Sequence, residues 1–143
     1  MSDPSTLDAL AAVRPRPEPT PISRPFWDAT AQGRFLIQRC RACSTAIFYP
    51  KVTCTSCGSV ELGWEEASGQ GTVHTFSVAR RPTHPKFTGK EPYVVAIVEL
   101  AEGPRVTTNI VGCEPAAVHV GMAVHVHFEP VGADGFAMPV FAP

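Results

Sequence analysis

Strict alternation of hydrophobic and polar residues marks the clearest strands, which lie in the second half of the chain. Over residues 122–129 every second side chain is apolar, and the opposite face carries His125, His127 and Glu129. This spacing predicts a half-exposed strand, and residues 72–78 alternate in the same way. Residues 93–100 are apolar almost throughout, so we expect a strand that is covered on both faces.

Further strands are predicted at residues 61–66, 105–111 and 136–141, where turn-forming glycine or proline residues bound short apolar segments. With residues 136–141 as a candidate for the last strand, the chain after residue 60 holds about five short strands and no long helix. This pattern favours a small closed barrel of the OB type. Closure is favourable because it removes exposed sheet edges.

The first half of the chain begins with a proline-rich segment and a short helix instead of alternating strands. Residues 1–24 form a proline-rich arm, predicted to be extended or disordered apart from a short helix over residues 6–13. The arm is either a linker or a segment that lies over a partner chain. Pro25 and Gly33 bound a predicted helix over residues 26–33, and residues 34–39 then form a strand.

Four of the five cysteines follow the pattern C-x2-C-x10-C-x2-C, namely Cys40, Cys43, Cys54 and Cys57. Two such pairs outside a secreted, disulfide-rich context predict one tetrahedral site of four thiolates. Zinc is the expected metal, with iron as the alternative because it accepts the same ligands. Four protein ligands leave no open position, so we predict one structural zinc ion per chain. Cys113 lacks a visible partner, and we interpret it as a packing residue.

Composition and charge narrow the functional classes. The chain has 143 residues, of which 44% are hydrophobic and 17% charged, and its net charge is -1. These values predict one folded domain with an appendage and argue against a strongly basic nucleic-acid-coating protein. No apolar run approaches the roughly 18 residues of a membrane span, and the N-terminus lacks the pattern of a secretory signal. We therefore expect a soluble cytoplasmic protein without membrane attachment.

The predicted organisation is mainly β and has three parts. Residues 1–24 form the proline-rich arm, residues 25–60 the short helix and a rubredoxin-like zinc ribbon, and residues 61–143 a five-stranded OB-fold barrel.

Several short motifs follow one another from Pro25 to the C-terminus. They are Pro25-Phe26-Trp27, Gly33-Arg34-Phe35, Gln38-Arg39-Cys40-Arg41-Ala42-Cys43, Cys54-Thr55-Ser56-Cys57-Gly58, Gly71-Thr72-Val73-His74, Pro92-Tyr93-Val94-Val95 and Asn109-Ile110-Val111-Gly112. In this order they resemble the rubredoxin-like zinc ribbon plus OB-fold family, long filed as "domain of unknown function 35". Only the proline-rich arm lies outside the resemblance.

The resemblance implies that the four cysteines bind zinc and that the protein is a non-catalytic accessory subunit. Members of this family assemble with thiolase-like enzymes or MaoC-type enoyl-CoA hydratases, which implies a hetero-oligomer. They support acyl-CoA binding or turnover in lipid, sterol or polyketide-type metabolism. The resemblance implies no catalytic residue.

A basic loop between two predicted strands is the candidate ligand site. Arg80, Arg81, Lys86 and Lys90 lie within eleven residues. Guanidinium and ammonium groups suit phosphate, so the loop is a candidate contact for the phosphates of coenzyme A. A solvated surface loop is the simpler interpretation.

Two other functions stay open at the level of sequence. A single-stranded nucleic-acid-binding module would use the OB barrel and the ribbon, but the net charge and the scarcity of barrel aromatics argue against it. An enzyme would draw on the histidines, which are His74, His84, His119, His125 and His127. His125 and His127 share a strand face that a second metal could use, although an exposed polar face is the simpler interpretation.

Overall fold

The computed structural model describes residues 16–81 and 91–143. The predicted helix over residues 6–13 lies outside the described residues. One α-helix, α1, spans Arg24–Thr30. The strands are β1 (Leu36–Cys40), β2 (Ala46–Ile47), β3 (Leu62–Glu66), β4 (Gln70–Ala79), β5 (Tyr93–Leu100), β6 (Arg105–Ile110), β7 (Ala123–Pro130) and β8 (Ala137–Ala142). None of the described helices has the length and apolarity that crossing a membrane requires.

The last five strands form a closed barrel in the order β4-β5-β6-β8-β7. The β6–β8 pair is parallel and every other pair in the barrel is antiparallel. Gly71 lies between β5 and β7, where an added Cβ would stand 2.6 Å from Val98 Cγ1 and 2.8 Å from the Glu99 carbonyl oxygen. Only glycine permits this close approach. The predicted mainly β fold with a five-stranded OB-type barrel is confirmed.

The predicted alternation in β7 is confirmed, because Val124 is buried whereas His125 and His127 are exposed. The expectation that β5 is covered on both faces is wrong. Its residues alternate between buried and exposed positions, and Val95 is 37% exposed. The physical reason is closure of the barrel, since each strand has one face toward the core and the other outward.

A separate three-stranded antiparallel sheet, in the order β2-β1-β3, forms the ribbon. The sequence places the strand at residues 61–66 in the barrel, and this prediction is wrong, because the strand pairs with β1 over five residues, from Leu36↔Glu66 to Cys40↔Leu62. The reason is that a strand leaving the second cysteine pair returns directly alongside the strand that entered the first. The three-part division of the chain otherwise stays a prediction.

An aromatic cluster joins α1, the ribbon and the barrel. Phe26 is 1% exposed and packs edge-to-face on Trp27, Phe35, Phe48 and Tyr49, with ring centroids 4.8–5.8 Å apart. Apart from the exposed Tyr49, these residues share one continuous core with the inner face of the barrel. The ribbon and the barrel are therefore packed together rather than linked by a flexible joint.

The described end of the proline-rich arm lies against the loop between β7 and β8. Arg16 forms an ion pair with Asp134 at 2.6 Å, and its guanidinium lies 4.2 Å from the ring centroid of Phe136. The ring of Phe136 also stacks on that of Trp27, with the two ring centroids 5.0 Å apart. The arm from residue 16 onward is thus anchored on the chain's own barrel.

Candidate metal centre

The four predicted ligands converge at the end of the ribbon. Their sulfur atoms all lie within 4.8 Å of one another. The Sγ atoms of Cys40 and Cys57 are 3.6 Å apart, and so are those of Cys43 and Cys54. A tetrahedron with Zn–S bonds of about 2.3 Å has sulfurs about 3.8 Å apart. The sulfur spacing therefore fits a zinc ion.

The two cysteine pairs have the same backbone turn. The N–H of Ser44 donates to the carbonyl of Cys40 at 2.8 Å, and the N–H of Gly58 donates to the carbonyl of Cys54 at 3.0 Å. Ser44 and Gly58 both have positive φ, at 66° and 78°. The sequence predicted this conformation only at Gly58, because serine rarely adopts it. The repeated turn brings both sulfurs of each pair to the same side.

Hydrogen bonds to sulfur favour the thiolate form of two ligands. The N–H groups of Cys57 and Ser56 point at the Sγ of Cys54 and lower its pKa. The hydroxyl and N–H of Thr45 lower the pKa of Cys43 to about 6. Both groups are thereby prepared to ligate a cation without the loss of a tightly held proton.

The raised pKa of Cys57 shows why the cluster of four thiols requires a cation. The N–H of Ser59 lowers the pKa of Cys57, but the neighbouring sulfurs of Cys40 and Cys43 raise it, and the result is about 12. Four sulfurs this close cannot all be ionised in the absence of a positive charge. A soft divalent ion removes the repulsion. These residues fit structural zinc, and they leave no vacant position for substrate.

A buried glutamine that is not among the residues predicted from the sequence supports the site. Gln38 is 5% exposed. Its amide donates to the Lys51 carbonyl at 3.0 Å and accepts the Lys51 N–H at 2.7 Å. This pair of bonds ties β1 to the segment between the two cysteine pairs. A polar residue at an inward position of a strand is the sequence signal that would have found it.

The candidate phosphate loop is only partly described. Arg80 and Arg81 are exposed just after the end of β4. Lys86 and Lys90 lie outside the described residues. The contact with coenzyme A predicted for these four cations therefore stays a prediction.

The histidines do not form a second centre within the described ranges. His74, His125 and His127 are exposed on the barrel, and His84 is outside the described residues. His119 faces the carbonyl of Ala117 at 3.3 Å. Among the residues described, the four-cysteine group is the one cluster of three or more metal-ligating side chains. Cys113 is half-buried against the core, as predicted.

Comparison with known protein families identifies both parts of the structure. Residues 27–62 match the family described as "ChsH2, rubredoxin-like zinc ribbon domain". Residues 64–129 match "ChsH2, C-terminal OB-fold domain". A DUF35 domain-containing scaffold protein of Methanothermobacter thermautotrophicus is 39% identical over 98 residues, which are 68% of this chain and 73% of that protein. The chain belongs to the DUF35 family.

Two further relatives show the range of this family. A solved structure described as "Ltp2-ChsH2(DUF35) aldolase" has a TM-score of 0.78 and 39% identity, and the match covers 90% of this chain and 98% of that one. A probable enoyl-CoA hydratase alpha subunit of Thermomonospora curvata is 41% identical over 132 residues, which are 92% of this DUF35 chain. The chain spans only 40% of that subunit's length.

Proposed function

We propose that this DUF35 chain is a non-catalytic accessory subunit that assembles with a thiolase-like enzyme or a MaoC-type enoyl-CoA hydratase. In this role it supports the binding or turnover of acyl-CoA. The observation that carries the proposal is the match to nearly the whole ChsH2(DUF35) chain in a structure named as an Ltp2-ChsH2(DUF35) aldolase. The relative named as a probable enoyl-CoA hydratase alpha subunit also supports the proposal, because it is 41% identical to this chain over 92% of the chain's length.

The chemistry of the described residues agrees with an accessory role. The metal site has four protein ligands and no open position, so it offers neither a Lewis acid nor a bound hydroxide. Cys113, the cysteine outside that site, packs against the core. Reacting groups would then come from the partner enzyme.

The structure does not favour the alternative of single-stranded nucleic-acid binding. The outer surface of β4, β5 and β6 carries the cross-strand rows Thr75, Ile97, Thr107 and Ser77, Val95, Asn109. These two central rows contain no cation and no aromatic side chain, and Arg105 and Tyr93 lie at opposite ends of the surface, in the rows beyond them, whereas strand-binding barrels line one groove with both kinds of residue. Phe76 and Phe128 pack against the core instead of forming stacking platforms.

Affinity purification of the tagged chain from native extract tests the proposal. We expect a thiolase-like enzyme or a hydratase to co-purify in stoichiometric amount, and its acyl-CoA turnover or stability to fall when the tagged chain is removed. The chain alone should turn over no acyl-CoA. A preparation that contains nucleic acid and no such enzyme would refute the proposal.

We also propose that the basic loop contacts the phosphates of coenzyme A in the assembled complex. Changing Arg80, Arg81 and Lys86 together to alanine should weaken acyl-CoA binding by the complex. Arg105→Ala, on the outer face of β6, is the control for loss of surface charge. Unchanged acyl-CoA affinity in the triple variant would assign the loop to solvent. The cytoplasmic location expected from the sequence stays a prediction.

A further inference from the structure

The longest strand of the barrel leaves part of its outer edge without a partner strand. β4 runs from Gln70 to Ala79, and β5 pairs with one of its edges as far as Ala79. On the other edge, β7 pairs only with residues 70–72, and Val73 then bonds to the loop before β7. Within residues 16–81 and 91–143, no strand pairs with this edge over residues 75–79.

The backbone groups of β5 point alternately to its two neighbouring strands. The N–H of Leu100 donates to the carbonyl of Pro104, just before β6, at 2.9 Å. On the other side, the N–H of Ala101 donates to the carbonyl of Gln70 in β4, again at 2.9 Å. Because successive residues of a strand direct their backbone groups to opposite edges, residues 95 and 97 bond toward β4.

The same alternation leaves the backbone groups of Phe76 and Val78 pointing away from β5. Thr75 and Ser77 are the partners of residues 97 and 95, so their N–H and carbonyl groups face β5 and those of the intervening residues face outward. Val73, on the same edge, uses its outward groups in bonds of 3.0 and 2.8 Å to the loop before β7. No hydrogen bond joins the outward groups of Phe76 and Val78 to the described parts of the chain. Each of these two residues therefore offers one donor and one acceptor to a further strand.

A β-bulge separates the paired part of this edge from the unpaired part. Val73 pairs with Val98 and Thr75 pairs with Ile97, so His74 is an extra residue in β4. An inserted residue bends a strand and increases its twist. The pairing with β7 ends at this point, which frees the edge beyond it.

The free edge lacks the residues that usually prevent the addition of a strand. Exposed edges in natural proteins commonly carry a charged side chain or a proline, and residues 75–79 contain neither. Phe76 and Val78 pack against the core and are only half-buried, so a further strand would cover them. Thr75 and Ser77 are exposed on the outer face. Such an edge is a template for an extended segment of another chain.

The size and position of the edge indicate which chain supplies that segment. Two copies paired along this edge would bury roughly 350 Å² in total, since five residues span about 17 Å and a sheet is about 10 Å thick. A stable interface buries at least about 1,200 Å², so the strand must form part of a larger contact. β4 leads directly into Arg80 and Arg81, in the loop proposed to contact coenzyme A in the assembled complex. This continuity favours the partner enzyme over a second copy.

We propose that an extended segment of the partner enzyme pairs with residues 75–79 of β4 and continues the barrel sheet. Its backbone bonds to the outward groups of Phe76 and Val78. Its side chains alternate, apolar where they cover these two residues and small or polar beside Thr75 and Ser77. None of its paired residues is proline, because each inward N–H is needed as a donor. The inference rests on the proposed function, which supplies the enzyme.

The bulge at His74 has a simpler role that the test must separate from strand addition. A bulge twists an edge away from other chains and thereby keeps it solvated. The amides of Phe76 and Val78 would then exchange with solvent as rapidly in the complex as in the free chain. Loss of the N–H of residue 78 would have no effect on assembly.

Amide hydrogen exchange of the unaltered chain gives the first test. It is measured on the chain alone and on its complex with the purified enzyme that co-purifies with it. We expect the amides of Phe76 and Val78 to exchange rapidly in the free chain and at least about a hundredfold more slowly in the complex. The amide of Val73 is the internal reference and should be protected in both, because it already donates to the carbonyl of Met122.

Two substitutions at residue 78 then separate the backbone from the side chain. Val78→Pro removes the outward N–H and spares the bonds that Ser77 and Ala79 make to β5, and proline is tolerated at such an edge position. We expect it to weaken enzyme binding at least about tenfold, because a hydrogen bond is lost and its acceptor stays unpaired. Val78→Ala keeps the N–H and is the matched control, which should bind within about threefold of the unaltered chain.

The outcomes distinguish this inference from the proposed function. If the enzyme binds and the amides of Phe76 and Val78 gain no protection, the pairing is wrong and the proposed function stands. If they gain protection and Val78→Pro binds as well as Val78→Ala, the protection comes from burial alone and the pairing is again wrong. If the chain binds no such enzyme, the proposed function fails and this inference fails with it.

Other occupants of the edge give a different exchange pattern. If the amides of Phe76 and Val78 are already protected in the free chain at every concentration, the chain covers its own edge and the inference is overturned. Protection that rises with the concentration of the free chain assigns the edge to a second copy and also overturns it. If Val78→Pro does not fold, exchange in the unaltered chain decides between pairing and a solvated edge.

Discussion

Replacement of Phe26 by alanine is the most direct test of how the ribbon is attached to the barrel. Phe26 is 1% exposed and is among the largest fully buried side chains of the described chain. Its ring makes edge-to-face contacts with Trp27, Phe35, Phe48 and Tyr49 at 4.8–5.8 Å. Removing the ring leaves a cavity between α1, the ribbon and the barrel.

The expected cost is large relative to the stability of a small domain. Phe→Ala in a core typically costs 3–5 kcal/mol, the lost transfer energy plus the cavity. Each aromatic pair adds about 0.5–1.5 kcal/mol beyond area burial, so the upper part of the range, roughly 4–5 kcal/mol, applies here. Domains of this size have a total unfolding free energy of about 5–15 kcal/mol. The variant should therefore lose about a quarter or more of its stability.

Denaturant unfolding at saturating zinc, followed by circular dichroism and tryptophan fluorescence, measures this loss. The unaltered chain should unfold in one transition, because ribbon and barrel share a core. Val95→Ala, on the exposed face of β5, should cost less than about 1 kcal/mol. A loss below about 1 kcal/mol for Phe26→Ala would refute the conclusion that the aromatic cluster holds the ribbon on the barrel. Two separate transitions in the unaltered chain would refute the shared core.

Three further predictions follow from particular contacts. Cys54→Ser should lower zinc content from one ion per chain, as determined by metal analysis, whereas Cys113→Ser should leave it unchanged. Asp134 has a lowered pKa because Arg16 donates a hydrogen bond to its carboxylate, so Arg16→Met should raise that pKa in an NMR titration. A lowered pKa stabilises the fold above the ordinary Asp value of about 3.9, and this stabilisation disappears as the pH falls through the native pKa. Gly71→Ala should prevent closure of the barrel or cost several kcal/mol in unfolding free energy, because its Cβ would collide with the backbone of β5.

The metal ligands were predictable because their signal is local. Two cysteines separated by two residues already define a turn that presents both sulfurs, and the repeat of that spacing defines the complete site. The alternation in β7 was equally local. Gln38 was missed because its partner, the backbone of Lys51, is thirteen residues away. The positive φ of Ser44 was not predicted because it follows from the backbone turn around the first cysteine pair rather than from the residue type.

The sequence by itself determined the four-cysteine centre, the β character of the chain and the positions of most strands, since these depend on spacing within a few residues. Only the tertiary structure decided which strands pair. The assignment of β3 to the ribbon and the exposure of Val95 on β5 follow from long-range pairing and barrel closure. The packing of Phe26 between the ribbon and the barrel and the anchoring of Arg16 on Asp134 likewise depend on residues distant in sequence. The periodicity of the sequence indicates which face of a strand is apolar. Which residues pack on that face depends on contacts between segments that are distant along the chain.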